Sequence, residues 1–248
     1  MHRSILLLIS SVAMLAMLVV NVLANVLPIN GMNTGEISDR YPSMFTPAGI
    51  TFSIWSIIYL ALIGFLVHAW RNKRDTRIQT LLPWFIATCV FNVSWILVWH
   101  FLLPVISVII MMALLITLAI IFLKIRSFEF VDWRENIFIS FPFTIYFAWI
   151  CVATIANVSA LLVFVQWKGG ILTPEIWTVC MMASAAFLAL RVGLDFRTPA
   201  FIPVIMWALF GIYLRWHAAN GMIPVAAIVM EVVLFGGLIY YAVRKKVL

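Results

Sequence analysis

The sequence predicts an all-α protein, a polytopic helix bundle of about eight transmembrane helices with both termini in the cytoplasm. Three observations carry this reading. Hydrophobic residues make up 65% of the 248-residue chain and charged residues only 10%, against roughly 25% charged in a soluble domain. The apolar residues gather into eight runs, at 5–27, 48–70, 81–102, 104–123, 137–164, 174–190, 198–214 and 222–243. A hydrocarbon core about 30 Å thick takes roughly 20 helical residues to cross, so each run is close to bilayer length. Eight crossings put both termini on one side, and 13 of the 16 Lys and Arg fall on that side, leaving Arg40, Lys168 and Arg215 on the other. Cytoplasmic loops carry the basic excess, which sets the orientation.

Taken in order, the first run follows Met1-His2-Arg3 and also has the outline of a secretory signal, with Val22-Leu23-Ala24 resembling a cleavage site. At about 23 residues it exceeds the roughly 7–15 of a signal core, so a retained helix is expected. The connection that follows, 28–47, is the one long loop. Its Gly31, Gly35, Pro42 and Pro47 mark turns, yet Ile29, Met32, Ile37, Tyr41, Met44 and Phe45 make it too apolar for a floppy linker. A folded lid over the outer helix ends is expected, with a membrane-surface loop anchored by aromatics as the alternative. Other links are short. Leu103 alone separates the third and fourth runs, which makes neighbouring helices antiparallel partners.

Several function classes are excluded at this level. A net charge of +7 would suggest nucleic acid in a soluble protein. Here the positives flank membrane spans, so the bilayer and its anionic headgroups are the expected partner and nucleic acid is not. Cys89, Cys151 and Cys180 lie in spans without metal-ligand spacing, and neither a disulfide framework nor a metal site is expected. No segment outside the spans is long enough to bury a core. The chain has no Gly-rich phosphate loop, no His-Glu-x-x-His and no nucleophile elbow, so no catalytic residues are assigned.

What chemistry remains lies in aromatic and amide stripes. Asn92, Trp95 and Trp99 are spaced i, i+3, i+7 and share one helix face, as do Tyr146, Trp149, Ala153 and Asn157. Trp55 and Tyr59 are one turn apart, and so are Asn21 and Asn25. At 1.5 Å per residue, Trp55 and Trp95 both fall about 10 Å below the outer surface. Asn25 and Asn157 also fall in the outer half. Amides in hydrocarbon need partners, so an aromatic, hydrogen-bonding cavity beneath the long loop is expected. The competing reading makes each Trp part of an interfacial belt, as for Trp70, Trp84, Trp133, Trp167 and Trp216, and each Asn interhelical glue. His100 reads as an interfacial polar cap. Glu231 stands roughly 15 Å inside the last run. A charge there costs about 2.5–3.5 kcal/mol, so it is expected to be protonated or paired and is a candidate proton or ion site.

These residues resemble the translocator protein/tryptophan-rich sensory protein (TspO/MBR) family. The segment Pro42-Ser-Met-Phe45-Thr-Pro47, followed by Trp55 and Tyr59, resembles that family's Pro-x-Phe-x-Pro-Pro…Trp-x-x-x-Tyr, with one extra residue before Phe45 and Ala48 in place of the second Pro. Phe91-Asn92-Val-Ser-Trp95 corresponds to its Leu-Asn-x-x-Trp. Tyr146, Trp149, Ala153 and Asn157 match its Tyr-x-x-Trp-x-x-x-Ala-x-x-x-Asn. On this basis residues 1–168 form a five-helix ligand-binding bundle with lid loop 28–47, and 169–248 form a three-helix extension without a counterpart in five-helix members. The resemblance implies sensing, binding or transport of tetrapyrroles. Phe45 stands where some bacterial relatives carry a loop Trp, so breakdown of a porphyrin is the weaker implication. The segment from Leu161 to Lys168 has no Tyr and does not carry the family's cholesterol motif.

The sequence therefore points to an integral protein of the cell membrane that needs no cofactor. It is expected to hold a small hydrophobic ligand, such as a tetrapyrrole (porphyrin or haem), among Asn25, Phe45, Trp55, Tyr59, Asn92, Trp95, Trp99, Tyr146, Trp149 and Asn157. Two alternatives stay open. One is a proton- or ion-coupled secondary transporter using Glu231. The other is a homodimer or a subunit of a membrane partner protein, with Gly236-Gly237 as the close helix contact.

Overall fold

A computed structural model describes residues 2–27, 29–130, 132–219 and 221–247. Among them there are helices and no strands. Seven helical segments are long and apolar enough to cross a membrane, and an eighth, Phe201–Trp216, is shorter. The chain is a multi-pass membrane protein. Its residues cluster into two compact units.

The first unit takes the residues up to Arg40 together with Ser53–Ile150. Helix α1 (His2–Val26) buries Leu7, Ser10, Met14, Met17, Asn21 and Ala24. Steps of three and four residues place these on one stripe, which packs chiefly against α4 (Thr76–His100). A left-handed turn at Asn30 and Gly31 (φ 57° and 77°) leads to α2 (Thr34–Asp39). That short helix starts on a reciprocal cap: Asn33 accepts from the Gly35 and Glu36 amides, and the Glu36 carboxylate accepts from the Asn33 amide. The loop is folded, and α2 lies on α4.

Helix α3 (Ile54–Arg71) buries Ile54, Ile58, Leu62, Phe65 and Ala69. Helix α4 (Thr76–His100) begins at Asp75, whose carboxylate accepts from the Arg77 amide. It ends with Leu102 in the left-handed region (φ 58°) and the Leu103 amide bonded back to the Val98 carbonyl, a Schellman-type stop. Pro104 opens α5 (Pro104–Arg126), so the tight third-to-fourth link is achieved by a stop and a Pro start in succession. After α6 (Trp133–Glu135), one wide turn over Asn136–Ser140 feeds α7 (Phe141–Phe164). Phe65, Phe85 and Phe143 meet edge to face at centroid separations of 4.8–6.2 Å and form an aromatic core.

The second unit takes Tyr41–Phe52 and the residues from Cys151 on. It contains the far half of α7, then α8 (Pro174–Leu190), α9 (Phe201–Trp216) and α10 (Met222–Val247). The division falls inside α7 at Ile150. Within this unit Phe164 packs on Tyr41, and the Ser159 hydroxyl contacts Met181 of α8. Helix α10 packs on α8 and α9. A Cβ on Gly237 would collide with the Leu190 side chain, so this glycine serves a helix contact within the chain, while Gly236 faces open space. The Tyr41–Phe52 segment docks on α9. The Ala48 amide donates to the Gly211 carbonyl at 2.9 Å, the Trp207 indole to the Thr51 carbonyl at 2.9 Å, and the Trp216 indole to the Met44 carbonyl at 3.1 Å. Trp216, read from sequence as a belt residue, is thus a tether for the loop.

Candidate ligand-binding site

In the first unit, α1, α3, α4 and α7 bring a group of polar and aromatic side chains together. Asn92 is fully buried on α4. Its carbonyl oxygen accepts from the Asn21 amide at 2.7 Å, and its own amide donates to the Tyr146 hydroxyl at 3.2 Å. Buried amides are costly without partners, so this relay fixes three helices in register. Asn21 also donates to the Met17 carbonyl of its own helix.

Aromatic rings close around the relay. Trp55 stacks on Tyr59, one turn away, at 5.4 Å and 21°. It meets Tyr146 edge-on at 5.8 Å and Trp149 edge-on at 6.3 Å. On the same face of α4 as Asn92, Trp95 stacks on Trp99 at 6.0 Å and 17°. Asn92, Trp95 and Trp99, which share a face by spacing, are all buried, as are Tyr146 and Trp149.

Two donors in this unit are not used. The Tyr59 hydroxyl and the Trp95 indole nitrogen are shielded from solvent and lack a hydrogen-bond partner among the described residues.

The end of α4 holds the first half of the long loop. His100, expected as an interfacial cap, is instead fully buried. Its Nε2 lies 3.1 Å from the Thr34 hydroxyl, its Nδ1 3.1 Å from the Ile29 carbonyl, and its carbonyl accepts from the Asn30 amide at 3.0 Å. The Trp99 indole reaches the Thr34 carbonyl at 3.5 Å.

The remaining sequence-nominated residues are placed differently. Asn25 is exposed, and its amide donates to the Asn21 carbonyl on its own helix, so it does not join the relay. Phe45 and Asn157 are buried in the second unit. Glu231 belongs there too, on α10, facing the backbone of Phe210. Its Oε1 is shielded without a hydrogen-bond partner among the described residues. Nothing in the spacing marks Thr34 for the site. Asn21 and Asn25 are equivalent by spacing, and only Asn21 bonds across to α4. The signal for Asn21 was its place on the stripe from Leu7 to Ala24.

A profile of the family described as TSPO-like protein matches residues 7–240. The chain belongs to the TSPO-like protein family. The match to this TSPO-like chain runs through α8, α9 and most of α10. No curated protein and no solved structure matches the chain. The family assignment agrees with the resemblance carried by Trp55, Tyr59, Asn92, Trp95, Tyr146, Trp149 and Asn157.

Proposed function

We propose that the protein is a TspO-type ligand-binding or sensory protein of the cell membrane, with both termini cytoplasmic. Its ligand is a flat hydrophobic molecule with hydrogen-bond acceptors, of which a porphyrin is the leading case. The observation that carries this is the pair of buried donors without partners, Tyr59 and Trp95, in a unit otherwise walled by Trp and Tyr rings. Leaving such donors unmade costs about 1–3 kcal/mol each, and an acceptor-bearing ligand would recover it. Trp55, Trp99 and Trp149 offer faces for stacking, and Asn92 an amide already oriented from two sides. In the described arrangement these rings stack on one another, so binding requires Trp55 to part from Tyr59. The Ile29–Arg40 segment, hung on His100, is the element whose release would admit the ligand.

The test is intrinsic Trp fluorescence of purified protein titrated with protoporphyrin IX, corrected for inner-filter loss, beside a Trp149→Phe/Asn92→Ala variant. Saturable quenching that is lost in the variant supports the reading. Quenching that is linear, or the same in both proteins, reports partitioning and rejects it.

Glu231 supports a second reading, a proton- or ion-coupled transporter. Its shielded Oε1 on a membrane-spanning helix is a group that could take up and release a proton. Glu231→Gln should then abolish pH-driven flux in proteoliposomes while leaving the fold intact. Unchanged flux would remove the coupling role.

A further inference from the structure

The second unit contains a cavity of about 270 Å³ between the end of α7 and the start of α8, roofed by the Pro42–Met44 stretch. Its walls are Leu162 and Val163 from α7, Trp177 and Met181 from α8, Met44 from the roof, and Trp167 from the connecting turn. Gln166, in the left-handed region (φ 55°), ends α7 in the manner of Leu102. The reversal turns the Trp167 ring onto Trp177, with centroids 5.4 Å apart.

The chemistry of the walls defines the occupant. Most of the polar side chains that line the cavity are bonded within the protein. The Ser159 hydroxyl donates to the Ile155 carbonyl, the Thr178 hydroxyl to the Pro174 carbonyl, and the Trp177 indole to the Gly169 carbonyl at 2.7 Å. The Ser43 hydroxyl oxygen accepts from Thr46. An apolar guest is therefore favoured over a hydrogen-bonding one. Methionines on two walls adapt to a flexible shape. The volume lies just below the roughly 300–1,000 Å³ of sites for drug-sized ligands, so the cavity takes a chain rather than a macrocycle.

Where the cavity opens decides the source. Helices α7 and α8 are consecutive spans, so the turn joining them lies at a membrane face. That turn leaves Val165 and Trp167 about half exposed and Ile171 fully exposed, apolar groups suited to the headgroup boundary. Val163 at the cavity wall is exposed as well. The opening therefore meets lipid.

We infer that this cavity is a binding site for one acyl chain of a bilayer phospholipid, whose headgroup stays at the surface beside the α7–α8 turn. The site is separate from the Trp55–Asn92–Tyr146 group and stands or falls independently of it.

The experiment uses the full chain purified in detergent and titrated with palmitoyl-oleoyl phosphatidylglycerol. Bound lipid is counted by native mass spectrometry. One phospholipid should survive detergent removal from the wild type. Met181→Trp and, from the other wall, Ser159→Phe fill the cavity and should each reduce retention at least about fivefold. Val232→Trp, on an exposed position of α10, should leave it unchanged. Equal retention in folded Met181→Trp and Ser159→Phe proteins would overturn the proposal. Hydroxyl-radical footprinting of the unaltered protein covers the case in which both variants misfold. Oxidation of Met44 and Met181 should fall saturably with added lipid while that of the exposed Met222 does not, and no protection would reject the site. Retention of oleate where the phospholipid is not retained would equally reject a phospholipid occupant.

Discussion

The His100 ring joins the last turn of α4 to Thr34, with Nε2 3.1 Å from the threonine hydroxyl and the opposite ring nitrogen 3.1 Å from the Ile29 carbonyl. A single side chain thus uses both nitrogens to fasten two points of the loop, and it does so without solvent access. Losing one contact frees the other, because the ring can then rotate. Thr34→Val should therefore raise amide hydrogen exchange across residues 29–40 while leaving α4 protected. His100→Phe, which removes both bonds, should raise it further. Unchanged exchange in His100→Phe would mean that burial alone holds the loop.

Asn92 is the joint of the polar relay, and its truncation strands two groups at once. Asn92→Ala leaves the Asn21 amide and the Tyr146 hydroxyl short of a partner in a buried setting. The expected loss is about 1–3 kcal/mol for each group left unsatisfied, read as a lowered Tm in detergent. Asn25→Ala, at an exposed position bonded only to its own helix, should change Tm little.

Gly211 marks the closest approach of α9 to the Tyr41–Phe52 segment. An added Cβ would collide with the Thr51 hydroxyl and the Pro47 ring, both held in place by backbone hydrogen bonds around them. Gly211→Ala should destabilise by about 1–3 kcal/mol as an overpacked contact, and proteolysis within residues 41–52 should accelerate. Gly236→Ala, which meets open space, is the matched control.

Asp75, just before α4, sets an acid limb to stability. Burial raises its carboxyl, but hydrogen bonds from the Arg77 side chain and backbone, and the Arg77 charge, outweigh burial and hold it below its ordinary value of 3.8. Arg77 also bridges to Glu135 at 2.6 Å. A folded-state value lowered in this way gives stability that is complete above about pH 4. That stability drains away as pH falls through the lowered value. Asp75→Asn should flatten the decline in Tm on acidification, and a decline of unchanged steepness would assign it to other carboxylates.

Part of the candidate site was legible because helical periodicity is a local property. Asn92, Trp95 and Trp99 fall on one face by spacing alone, and all three are buried. Periodicity says which residues share a face, not which face they meet. Asn21 and Asn25 look equivalent in sequence, yet one turn of drift separates a buried relay member from an exposed amide that bonds its own helix. His100 resembled an end-cap because its partners, Ile29 and Thr34, lie some seventy positions away. Trp216 read as a belt residue for the same reason, since Met44 is 172 positions distant.

The sequence by itself determined the membrane class, the number of apolar helices, roughly where each of them lies, and the family. Each follows from composition, run length or short-range spacing, which the chain carries irrespective of how its helices meet. Tertiary structure alone decided that Asn21 and not Asn25 completes the relay, that His100 fastens the loop, and that α9 receives Ala48 and Thr51. It also decided that a cavity forms where α7 turns into α8. These depend on which faces are pressed together, and in an apolar chain nearly every face can be buried. The choice among them rests on a few polar groups that must find partners and a few glycines, such as Gly211 and Gly237, that let backbones or side chains approach.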